Sequence, residues 1–161
     1  MTESDAPSVG GPPSHPIVLY DGVCGFCNRS VQFILGRDPD GIFRFAPLQS
    51  GLAARILARH GANPSDLDTM YVVFGYDEAF AKRREEGKSG ETLLSRSDAA
   101  LFVLQQLGGI WRVVAGAMQL LPRLVRDWGY RRIASNRYRM FGRYDTCPLP
   151  DEATRARFLD I

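Results

Sequence analysis

Two thiols three positions apart, with a carboxylate three positions before the first, are the residues of this chain whose types and spacing suit chemistry. They lie in Tyr20-Asp21-Gly22-Val23-Cys24-Gly25-Phe26-Cys27-Asn28. A short apolar run, Ile17 to Tyr20, leads in, and a helical pattern with Val31, Ile34 and Leu35 on one face follows. The thiol pair therefore falls where a strand ends and a helix begins. At a helix N-terminus, unpaired N–H groups and the positive end of the macrodipole favour an anion. Cys24 is thus expected to ionise more readily than a free thiol, whose pKa of about 8.5 drops to roughly 3.5–7.5 at such positions. Cys27, one turn later on the same face, is placed to attack a mixed disulfide on Cys24. Cys24 is the expected nucleophile and Cys27 the expected resolving thiol.

Other readings of the pair compete. Half of a zinc site would need further ligands, and the remaining candidates, Cys147, His15 and His60, are scattered singly. A c-type haem anchor requires His after the second cysteine, where Asn28 stands. Two inert, buried cysteines are the bland alternative, which a junction flanked by Gly22 and Gly25 disfavours. No metal or bound cofactor is required for the redox reading, because the electrons reside in the sulfurs. Asp21 has two readings: a proton acceptor when Cys27 becomes the attacking thiolate, or a turn residue bonding its own backbone near Gly22. Cys147 reads either as a second resolving thiol or as a half-buried cysteine beside Pro148.

The rest of the chain must hold these groups in place. Its 161 residues, 45% of them hydrophobic, suffice for one domain with a real core, and a net charge of +2 selects no partner class. Residues 1–16 are small, polar and rich in Pro and Gly, without the apolar core of a signal peptide, and read as a disordered tail. The longest apolar segment, Ile110 to Leu121, is too short for a membrane span of about 20 residues. An odd number of cysteines, three, in a chain with no export signal suggests a reducing, cytoplasmic setting.

In order, the pattern predicts a helix over 25–36, a strand over 42–46 after the turn Asp38-Pro39-Asp40-Gly41, and hence a right-handed βαβ unit with parallel strands. A helix over 51–60 ends at His60-Gly61, with His60 as a partner of the C-terminal dipole. A buried strand over 70–74 and a short one over 92–94 form a hairpin, with an exposed charged loop, 77–90, between them. Ser95 or Ser97 caps a helix over 98–107. Helices over 110–121 and about 123–140 make an extension through residue 161, the second with a break at Gly129 because its apolar residues do not share one face. A short helix from Glu152 to Leu159 closes the chain. Eight arginines lie between 112 and 143, with Asp127 the single acid there. They read as a solvated helical face, or more sharply as a surface for nucleic acid or an anionic membrane.

Four segments together resemble the DCC family: Asp21-Gly22-Val23-Cys24-Gly25-Phe26-Cys27, Arg44-Phe45-Ala46-Pro47-Leu48-Gln49-Ser50, Ser97-Asp98-Ala99-Ala100-Leu101 and Asn136-Arg137-Tyr138-Arg139-Met140-Phe141-Gly142. The resemblance implies a thiol–disulfide oxidoreductase of thioredoxin-like fold, with the family's Asp, Cys, Cys signature on Asp21, Cys24 and Cys27. Where thioredoxins proper carry a cis-proline before a central strand, this chain has Asp68-Thr69. The expected fold is therefore α/β: a thioredoxin-like sheet of about four strands, flanking helices and a C-terminal helical extension. The expected substrate is a disulfide or dithiol of unspecified identity. The alternative is a partner-binding module with a basic helical face and a metal-binding or vestigial cysteine pair.

Overall fold

The computed structural model describes residues 15–75, 91–146 and 148–161. Cys147, the loop expected over 77–90 and all but the last two residues of the expected tail lie outside the described residues.

Strand β1 (Ile17–Tyr20) and helix α1 (Gly25–Leu35) are followed by β2 (Arg44–Pro47), α2 (Gly51–Arg59), β3 (Tyr71–Phe74) and β4 (Thr92–Ser95). Helices α3 (Arg96–Leu107), α4 (Gly109–Gln119) and α5 (Arg123–Phe141) come next, and a single 3-10 turn (Arg155–Arg157) lies near the end. The sheet order is β2-β1-β3-β4. β1 and β2 are parallel, as the βαβ spacing requires, while β1 with β3 and β3 with β4 are antiparallel. A four-stranded mixed sheet with flanking helices is the expected α/β architecture and is consistent with a thioredoxin-like fold.

Alternation along β1 sends its side chains into two cores. Ile17 and Leu19 join Leu52, Ile56 and Leu57 of α2, with Tyr71 and Val73 of β3, on one face. Val18 and Tyr20 join Val31 and Ile34 of α1, Ala99 and Val103 of α3, and Phe43, Phe45 and Phe158 on the other. β1 is thus buried from both sides, and its C-terminal end, where Asp21 begins, is rigidly held.

Several expected boundaries move, each for a local reason. β2 starts at Arg44 rather than at residue 42, because the buried Asp38 carboxylate takes the backbone N–H groups of Ile42 and Phe43, both at 2.9 Å, before the ladder can. Ser95 stands at the N-cap of α3 but makes no side-chain cap bond, and the helix starts two residues early, at Arg96. The expected closing helix over 152–159 is reduced to the 3-10 turn. Phe158 leaves it in extended conformation, and the N–H of Leu159 bonds the carbonyl of Phe45 at 2.7 Å, so the open edge of β2 recruits the chain.

No break occurs at Gly129: α5 is one helix of 19 residues. The expected break would serve to bury apolar side chains on more than one face, and the helix does not bury them. Leu124, Val125, Trp128, Ile133 and Met140 are exposed. Its docked stripe is polar instead. Arg123 and Arg126 pair with Asp98 of α3 at 2.9 and 3.5 Å, Asp127 accepts from the Ser97 hydroxyl, and the Tyr130 hydroxyl accepts the N–H of Met70 at 2.7 Å.

Candidate functional site

Residues 21–24 form a tight turn between β1 and α1. The Asp21 side chain accepts the N–H of Val23 at 3.1 Å, the Asx geometry of the turn reading, and its carbonyl accepts the N–H of Cys24 at 3.2 Å. Asn28, at the position a haem anchor would give to His, donates instead to the carbonyls of Gly22 at 2.8 Å and Cys24 at 2.9 Å. The turn is thereby stapled to the first turn of α1.

Cys24 is the N-cap residue of α1, in extended conformation, and its Sγ accepts the backbone N–H of Cys27 at 3.3 Å. A sulfur serving as N-cap acceptor occupies the position at which the helix field favours negative charge. Both cysteines are free thiols. Cys27, half-buried, is pushed above the ordinary thiol range, first by burial and then by the hydrogen bond with and charge of Cys24; Asp21 acts in the same sense and Arg137 opposes it. Cys27 therefore keeps its proton beyond the pH at which an ordinary thiol releases it.

The accessibility of the two thiols is the reverse of what an open strand-to-helix junction suggests. Cys24 is fully buried, and Cys27 is the partly exposed one. The cover is the segment just after α5. The carbonyl of Gly142 accepts the N–H of Gly25 at 3.1 Å, the N–H of Tyr144 donates to the carbonyl of Val23 at 2.7 Å, and Arg143 bridges Cys24 in antiparallel sense. Phe141 packs on Phe26 with ring centroids 5.0 Å apart. This strap lies so close that a Cβ on Gly25 would come within 2.2 Å of the Phe141 carbonyl oxygen. Gly142, at φ +79°, makes the turn from helix into strap, a conformation that side chains other than glycine's resist.

Beneath the pair lies a buried ionic cluster. Asp21 is 1% exposed and Arg137 of α5 is 3% exposed. Arg137 Nη2 lies 3.1 Å from Asp21 Oδ2 and also 3.1 Å from Asp68 Oδ1. The Tyr138 hydroxyl donates to Asp21 Oδ2, and Gln49 Nε2 donates to Asp21 Oδ1 at 2.7 Å while its Oε1 accepts the N–H of Gly22 at 3.1 Å. Each carboxylate oxygen of Asp21 thus receives two donors, which uses its lone-pair capacity. Its charge is the smallest of the causes that raise Cys27. Tyr130 is pushed up to about 12, chiefly by burial, with the charge of Cys27 adding to the effect against the bond from Met70. Asp68, just before β3, is held by the same guanidinium as Asp21.

The structure thus brings Asp21, Cys24 and Cys27 together as the spacing demands. The sequence pattern alone does not mark Gln49, Asn28, Tyr130, Arg137 and Tyr138 as site residues. Gln49, Arg137 and Tyr138 do lie in the segments that carry the family resemblance, which was the available signal. His60 stays at the C-terminus of α2, where it meets Glu91 at 2.8 Å, far from the thiols in sequence and bonding.

A paired-thiol turn on the central strand of a mixed four-stranded sheet defines a thioredoxin-like α/β protein with a vicinal dithiol. Comparison with known proteins carries this further. The chain matches the family model of the DCC1-like thiol-disulfide oxidoreductases over residues 18–143 and belongs to that family. It is 36% identical over 143 residues to "Uncharacterized protein YuxK" of Bacillus subtilis (strain 168), covering 89% of this chain and 93% of that one. It is also 34% identical over 134 residues to "DCC family protein At1g52590, chloroplastic" of Arabidopsis thaliana, covering 83% of this chain and 69% of that one. No solved structure matches it. Among the described residues, no helix is long and apolar enough to cross a membrane.

Proposed function

We propose that this protein is a dithiol–disulfide oxidoreductase in which Cys24 is the nucleophile and Cys27 the resolving thiol. The Cys24 thiolate attacks one sulfur of a substrate disulfide, forming a mixed disulfide, and the other substrate sulfur leaves as a thiolate that takes up a proton. Cys27 then attacks Cys24 Sγ while its proton passes to the departing substrate sulfur, which expels the second substrate thiol and closes the Cys24–Cys27 bond. The substrate gains two electrons and two protons, and the protein loses them. In the other direction the same steps oxidise a dithiol.

The observation that carries this reading is the hydrogen bond between the Cys24 and Cys27 side chains at the first turn of α1, beside the bond from the Cys27 N–H to Cys24 Sγ. Family membership supports the redox class. Because Cys24 is buried, substrate reaches it only when the 141–144 strap moves aside. In this reading burial and the neighbouring Cys24 hold the proton on Cys27 until the mixed disulfide forms, with the Asp21 charge a smaller addition, and a reducing compartment keeps the pair as free thiols between turnovers.

The test is reduction of insulin, or of a small disulfide, with dithiothreitol as electron source. Wild type is expected to exceed Cys24→Ser clearly, and equal rates would remove the pair from catalysis. Titration of the Cys24–Cys27 couple in a glutathione redox buffer then assigns the direction of electron flow.

A further inference from the structure

We propose that the outer surface of α4 and α5 is a peripheral docking surface for an anionic lipid bilayer, an inference independent of the redox chemistry. Helix α4 has two distinct sides. Its inner side is occupied: Ala115 is buried, and Trp111 packs edge-on against Phe33 with centroids 4.8 Å apart. Its outer side carries Ile110, Val113, Ala117 and Leu120, at spacings of three and four, all in solvent. A surface helix of a soluble domain places polar residues on that side.

The apolar surface continues round the corner into α5. Leu120 is 87% exposed and Leu124 81%, with Leu121, Val125 and Trp128 beside them, Trp128 at 63%. Farther along the same outward side of α5 the residues become Arg131, Arg132 and Arg139. Arg112 of α4 and Arg143 of the strap are exposed too, and among the described residues none of these five arginines forms an ion pair. The one acid of this region, Asp127, is turned inward to Ser97 and Arg123.

Large apolar side chains clustered at a helical corner, next to arginines without acids, suit one occupant. A second copy of the chain would bring arginine against arginine. A nucleic acid would use the arginines and leave Leu120, Leu124 and Ile110 in water. An anionic bilayer uses both: leucine, isoleucine and tryptophan enter the boundary between headgroups and acyl chains, and arginines reach the phosphates with their stems along apolar surface. The polar stripe that docks α5 on Ser97 and Asp98 of α3, on Met70 and on Asp21 lies on its other side, so the outward side remains available.

The experiment uses the full chain with vesicles of phosphatidylcholine alone and of phosphatidylcholine mixed with phosphatidylglycerol, read by co-sedimentation and by tryptophan emission. Binding to the anionic vesicles, with a blue shift from Trp128 and reversal by salt, is expected. Each arginine near an anionic surface is worth about fivefold, so Arg131→Glu with Arg132→Glu is expected to weaken binding by at least about tenfold. Leu120→Glu with Leu124→Glu is expected to abolish the blue shift. All four side chains are exposed, and circular dichroism with disulfide reduction verifies the fold of each variant; should the leucine pair misfold, the arginine pair still decides. The proposal is overturned by absence of binding to anionic vesicles, by equal binding to phosphatidylcholine alone, or by variants that bind like wild type. It is equally overturned by a sedimentation-velocity dimer that Leu124→Glu dissolves, or by binding of a duplex oligonucleotide in place of vesicles.

Discussion

Arg137 and Asp21, 116 positions apart in the chain, meet at 3.1 Å in a site where both side chains are closed to water. The pair joins the last long helix to the turn that carries the cysteines, and Arg137 spans further to Asp68. A charge pair so deeply placed is not a net source of stability against apolar replacements, but removing one partner strands the other.

Arg137→Met is therefore expected to destabilise the protein by about 3–5 kcal/mol, because it leaves the Asp21 carboxylate buried without its cation. Urea unfolding measures this. In the reduced protein the same variant is expected to drive the Cys27 pKa higher still, since Arg137 is the group that opposes the rise.

Asp21→Asn separates the two roles read for this residue. With its oxygens already engaged by Val23, Gln49, Arg137 and Tyr138, the carboxylate acts on Cys27 through charge. Its removal is expected to lower the Cys27 pKa and speed resolution of the Cys24 mixed disulfide, leaving its formation less affected. Stopped-flow measurement of the two steps decides the matter, and slowed resolution would return the proton to Asp21.

Gly25→Ala probes the strap. The new methyl group meets the Phe141 carbonyl oxygen at 2.2 Å, which forces backbone apart at a cost of about 1–3 kcal/mol. If that cost falls on the closed arrangement alone, opening becomes more frequent by about fivefold or more. Alkylation of Cys24 by iodoacetamide, followed by peptide mass spectrometry, is expected to accelerate accordingly, and an unchanged rate would show that the strap does not limit access.

The dithiol form has a distinct dependence on alkaline pH. Burial raises the Cys27 pKa in the folded state, so above about 8.5 the unfolded chain has released a proton that the native state retains. The stability this contributes is complete below the unfolded pKa and is lost as pH rises, by up to about 1.4 kcal/mol per pH unit. Thermal unfolding of the reduced protein between pH 8.5 and 9.5 is expected to show the decline, and Cys27→Ser to lack it.

Which parts of this structure were legible in the sequence follows from which forces set them. Ile17 to Tyr20, the thiol turn and Arg44 to Pro47 are governed by local pattern, and their parallel pairing follows from the spacing between them. The placement of α5 is governed by single polar contacts, Asp127 to Ser97, Tyr130 to Met70 and Arg137 to Asp21, each across long sequence distance. A search for apolar faces ranks Leu124 and Trp128 first, and these are the residues that the fold leaves outside. The expected break at Gly129 came from that same criterion. Since α5 is continuous and a Cβ at 129 meets nothing within 4 Å, Gly129→Ala is expected to raise stability by about 0.5–1 kcal/mol, measurable by urea unfolding. The burial of Cys24 was equally out of reach, because residues 141–144 have no pattern that announces a pairing with residues 23–25.

One helix end thus has two duties. The last two turns of α5 supply Arg137 and Tyr138 to the carboxylate beneath the thiols, and the same backbone runs on through Gly142 to roof Cys24. Fraying this helix from its C-terminus uncovers one sulfur and alters the field at the other in a single movement, so exposure and proton affinity are mechanically geared together.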